Sequence, residues 1–188
     1  MLQTSSARYR TGTAGIPHDS WRIVAAYALL ATGTLAAAVW IAAHVTASPA
    51  VHTGGLFVHL TSLVVGFGGV LMADSFVLRW AAGRLTLAET LRAVSRLHVP
   101  IWLGLAGLVA SGCVLEPNLA STMTRTKLTL VLVLTLNGIQ ACALERRLRA
   151  RGDTPLTGRL LAWGAATGLV SQVCWWGATA IGFLNAQR

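Results

Sequence analysis

Residues 55–78 read GLFVHLTSLVVGFGGVLMADSFVL, and this stretch decides the fold. It carries one charged side chain, Asp74. A helix of this length rises ~36 Å at ~1.5 Å per residue, enough to cross a hydrocarbon core of ~30 Å. Inside lipid, backbone N–H and C=O groups must pair within the segment, so the stretch has to be helical.

Four more runs share this character, at residues 21–45, 99–115, 128–144 and 160–184. The 15 basic and 6 acidic side chains lie almost entirely between or beyond them. The expected architecture is therefore all-α: a polytopic membrane protein of five transmembrane helices, with spans two to five forming a helical bundle. Gly66, Gly68 and Gly69 in the second span, Gly104, Gly107, Ser111 and Gly112 in the third, and Gly164 and Gly168 in the fifth supply small faces for close helix contact.

Residues 21–188 read as one transmembrane domain. Residues 1–20 are rich in Ser, Thr and Gly and are expected to form a disordered cytoplasmic tail. The first span exceeds the ~7–15 apolar residues of a secretory h-region, which favours an uncleaved anchor. Between spans two and three, Thr86 and Glu89 form a capping-box pattern, and Leu87, Leu91 and Val94 recur at helical spacing. This predicts a separate amphipathic helix over 86–97, lying on the cytoplasmic surface, with Pro100 breaking the chain before span three.

The formal charge of +9 does not point to nucleic acid, because the basic residues sit in loops between spans. Arg8, Arg10, Arg22, Arg79, Arg84, Arg92, Arg96, Arg146, Arg147, Arg149, Arg151 and Arg159 fall on one side, and only Arg125, Lys127 and Arg188 on the other. The positive-inside rule then predicts N-in/C-out in a cell inner membrane, with anionic lipids against the cytoplasmic face. Cys113, Cys142 and Cys174 lie inside spans without paired spacing and read as small packing residues.

Candidate chemistry gathers at the two membrane edges. His44, His52 and His59 fall on the outer edge within 16 residues. Neutral imidazoles ligate iron, copper or zinc, so these three form a candidate metal set. His98 belongs to the inner edge, most of a bilayer away from His59. Asp74, the one acid placed inside a span, is expected to form a structural ion pair with Arg79, Arg96 or His98. Lys127 opens the fourth span level with His59. It reads either as a snorkelling anchor or as a cation for an anionic ligand such as a porphyrin propionate. Asn137, Gln140 and Gln172 fit inter-helix hydrogen bonding.

Residues 57–139 resemble the core of the oxygen-independent protoporphyrinogen oxidases of the HemJ type and the CopD-type copper-resistance membrane proteins. The resemblance rests on Val58-His59-Leu60, the Gly-rich Gly66-Phe67-Gly68-Gly69, and Thr126-Lys127-Leu128-Thr129-Leu130. It implies that His59 and Lys127 form a functional, cofactor-binding pair with haem or porphyrin chemistry, or that copper is handled. The sequence thus raises three functions: a haem/porphyrin- or metal-associated redox protein, an accessory or scaffold subunit of a membrane complex or homo-oligomer, and a small copper-handling transporter.

Overall fold

The computed structural model describes residues 21–152, 155–185 and 187, and the expected N-terminal tail lies outside them. Five helices account for nearly all of this: α1 (Trp21–His44), α2 (Pro49–Ala81), α3 (Leu87–Gly112), α4 (Thr122–Ala150) and α5 (Gly158–Asn185). The first four are long and apolar enough to cross a membrane. α5 is long enough, but Thr167, Ser171, Gln172 and Thr179 dilute its apolar run. Its outer face still presents Leu169, Val173, Trp176 and Phe183, each more than half exposed. On α1 and α2, Leu29 is 75% and Phe57 and Val64 are 72% exposed. Apolar surface of this extent, spread over every helix, needs hydrocarbon rather than water around it.

Two boundaries differ from the sequence reading. α2 starts at Pro49, so most of the expected outer loop 46–54 is helix. Ser48 caps it, its hydroxyl accepting from the Val51 N–H, and Pro49 opens the first turn, where its missing N–H costs nothing. The second difference is larger. The expected surface helix 86–97 and the third span are one continuous helix, α3, with Pro100 inside it. The Thr86–Glu89 capping box forms as the sequence indicates. Pro100 removes one intrahelical hydrogen bond, a loss that packing against neighbouring helices absorbs in membrane proteins.

α2 packs along α3 and α4 along α5, while α1 lies outside against α4 and α3. The core joins α2 to α5: Phe67 and Val70, Leu105, Leu134, and Cys174 with Trp175. The Phe67 ring stacks on Trp175 (5.4 Å between centroids) and meets Trp176 edge-on. Two glycines allow the closest approach. A Cβ on Gly104 would overlap the Gly66 backbone, and one on Gly66 would come within 3.1 Å of the Trp175 ring. No residue of α1 is buried, which leaves it peripheral to the α2–α5 bundle.

Candidate functional site

The first turns of α2 and α4 and the last turns of α3 and α5 meet at one end of the bundle. There His59, half-buried on α2, bonds through Nδ1 to Ser111 Oγ of α3 at 2.9 Å. The Ser111 hydroxyl donates its single proton to the Gly107 carbonyl at 2.6 Å. With that proton committed, the hydroxyl is an acceptor for the imidazole, and the His59 ring also reaches the Leu108 backbone.

Lys127, in the second turn of α4, projects towards the same region. Its ammonium lies beside Gly182 of α5, where an added Cβ would meet Nζ at an ordinary contact distance of 3.5 Å. The ammonium makes no hydrogen bond or ion pair among the described residues. One turn before Gly182, the buried Thr179 hydroxyl also lacks a partner. His59, Lys127 and Thr179 thus lie towards the same end of the bundle, where the ammonium and the Thr179 hydroxyl have no partner among the described residues.

The other two histidines do not join them. His44 donates through Nδ1 to its own helix at Trp40 O (2.8 Å) and stacks on the Trp40 ring at 4.5 Å. His52 is exposed in the first turn of α2. The candidate metal set of His44, His52 and His59 is therefore dispersed. Among the described residues no three His, Cys, Asp or Glu side chains are grouped to hold a metal ion. Continuing α2 out to Pro49 carries His52 two turns beyond His59.

The expected ion pair of Asp74 with Arg79, Arg96 or His98 is also replaced. Asp74 accepts a hydrogen bond from the Gln172 amide, and the Gln172 carbonyl accepts from Trp176 Nε1 at 2.9 Å. Gln172 is at the midpoint of α5, so Asp74 is tied to the bundle interior rather than to the basic inner edge. Arg79 lies over the Phe76 ring instead. His98 pairs with Glu145 of α4 at 3.2 Å, and Arg149 bonds Glu145 at 2.7 Å and the Leu91 carbonyl at 2.6 Å. This clasp ties α3 to α4 at the end opposite His59. Glu145 directly follows the apolar run 128–144, and its i,i+4 spacing to Arg149 is the sequence signal of this pair. Asn137 and Gln140 of α4 bond Thr167 and Trp163 of α5, as inter-helix hydrogen bonding requires.

Because Asp74 partners an amide, removing it strands no buried cation. Asp74→Ala is expected to cost up to ~1–2 kcal/mol, the range of a lost inter-helix hydrogen bond in a membrane. Asp74→Asn keeps an acceptor for Gln172 and should unfold near the parent. Thermal unfolding in detergent checks both. A loss of ~3–5 kcal/mol in Asp74→Ala would instead reveal a stranded buried charge.

No family model matches the chain, and no curated protein or solved structure matches it.

Proposed function

We propose that this protein spans a cell inner membrane five times, N-in/C-out, and holds an anionic group of the haem or porphyrin class at its outer edge. The observation that carries the reading is the Ser111-bonded His59 imidazole at the same bundle end as the Lys127 ammonium, which has no partner among the described residues. A neutral imidazole would suit iron, and the Ser111 hydroxyl on the neighbouring helix would help orient the ring. An ammonium suits a propionate carboxylate as a point charge. A bound haem would supply electron-transfer chemistry, while His59 and Ser111 orient it and Lys127 pairs its charge.

The absorption spectrum of detergent-purified protein tests the reading. A Soret band that shifts on reduction is the expected result; protein that stays colourless after incubation with haem and with protoporphyrin overturns it. A second reading, an accessory subunit of a larger membrane complex, is favoured by the peripheral α1, none of whose residues is fully buried. Capture of a defined partner by colourless protein would favour it.

The topology has its own test. Twelve of fifteen basic residues on one side predict that a reporter fused after Arg188 is active only outside the cytoplasm. Cytoplasmic activity there would remove the fifth crossing.

A further inference from the structure

Between the peripheral α1 and the α3–α4 face runs a groove of about 750 Å³, within the ~300–1,000 Å³ range of ligand pockets. It extends along α1 from Val24 to Ile41, ~26 Å at 1.5 Å per residue, close to the hydrocarbon thickness of a bilayer. Small side chains open it: Ala31 and Ala38 on α1 face Ala106 and Ala110 on α3. Its few polar walls are already satisfied. Thr34 donates to Leu30 O, Thr135 to Val131 O, and the Cys113 thiol to Ala38 O and Val109 O. The middle and outer parts of the groove therefore offer hydrocarbon contact and nothing else.

The inner end is different. Arg146 lines it, is exposed, and takes part in no ion pair among the described residues. Its neighbour Arg147 lies over the Trp21 ring at 5.5 Å, holding the start of α1 at this level of α4. Tyr27 brings a phenol to the groove from α1, ~9 Å further along that helix than Trp21. A long apolar channel with one cation at one end is complementary to an amphiphile with a single anionic head.

We propose that this groove binds an anionic phospholipid, one acyl chain lying between α1 and α3 and the phosphate at Arg146. The lipid fills the space that keeps α1 from burying any residue, and so acts as mortar between α1 and the bundle. The site is distinct from the His59–Lys127 end and stands or falls independently of the function proposed there.

Trp102 lines the groove and reports its occupant. The protein is reconstituted in vesicles with increasing fractions of phosphatidylglycerol or phosphatidylcholine bearing brominated acyl chains. Subtracting the Trp102→Phe signal isolates quenching at the groove. Half-quenching is expected at about five- to tenfold lower phosphatidylglycerol than phosphatidylcholine, the selectivity of one well-placed cation near the membrane surface. Arg146→Gln should make the two lipids equal, and Ala106→Phe should block quenching by both. Arg146 is on the surface, so its variant remains informative if Ala106→Phe fails to fold. Equal quenching by both lipids in the parent means ordinary boundary lipid and overturns the proposal. So does no quenching by either, which would mean that protein covers the groove. Stronger quenching by a brominated fatty acid than by phosphatidylglycerol would assign the groove to a free acid and overturn it equally.

Discussion

Gly104→Leu is expected to abolish assembly of the bundle, and Gly104→Ala to destabilise it by ~1–3 kcal/mol, the usual cost of forcing an extra group into a packed interface. Even the methyl of alanine would overlap the Gly66 Cα and N, which are backbone atoms and cannot rotate away. The two helices must separate or slide. Separation pulls Gly66 away from Trp175 and disturbs the Phe67–Trp175 stack that links α2 to α5. Gly68 is the control. It sits two residues from Gly66 on the same helix, yet a Cβ there meets nothing within 4 Å. Gly68→Ala should therefore be neutral, or gain up to ~1 kcal/mol from lower chain entropy. Thermal unfolding in detergent, followed by size-exclusion elution, separates the pair. Equal midpoints for Gly104→Ala and Gly68→Ala would show that α2 and α3 do not touch at Gly66.

His59→Ala is expected to remove porphyrin or haem occupancy outright, because the His59 imidazole is the ligand the proposed site depends on. Lys127→Ala should weaken binding ten- to a hundredfold without abolishing it, as a lost charge-assisted hydrogen bond costs ~1.5–3 kcal/mol. Ser111→Ala removes the hydroxyl that helps orient the His59 ring and should lower affinity while leaving the ligand in place. His98→Ala breaks the clasp to Glu145 at the opposite end, so it should loosen α3 against α4 and leave binding unchanged. Titration of each detergent-purified variant with haem, followed at the Soret band, ranks them. Loss of binding in His98→Ala with normal binding in His59→Ala would place the site at the wrong end of the molecule.

The sequence alone carried the helical, membrane-embedded architecture, because charge exclusion over ~20 residues is a property of the solvent and needs no knowledge of neighbours. It also carried the capping box at Thr86 and Glu89, since both partners lie within one turn. It indicated that His59 and Lys127 share a depth, but the Ser111 hydroxyl that bonds His59 and the Gly182 beside Lys127 come from other helices. Position along the bilayer normal can be counted in residues. Position around a helix relative to three others cannot, and that is where the remaining readings changed. The Asp74 carboxylate found Gln172, 98 residues away, rather than the nearby arginines, and His98 found Glu145. His52 lies two turns from His59 because Ser48 and Pro49 start α2 earlier than hydropathy suggests, and His44 is held by Trp40 of its own helix. Pro100 looked like a break because local chain chemistry forbids its hydrogen bond, whereas only the packed bundle decides whether a helix continues through it. Which glycine may gain a methyl, Gly104 or Gly68, is likewise invisible in the chain and set by what lies on the facing helix.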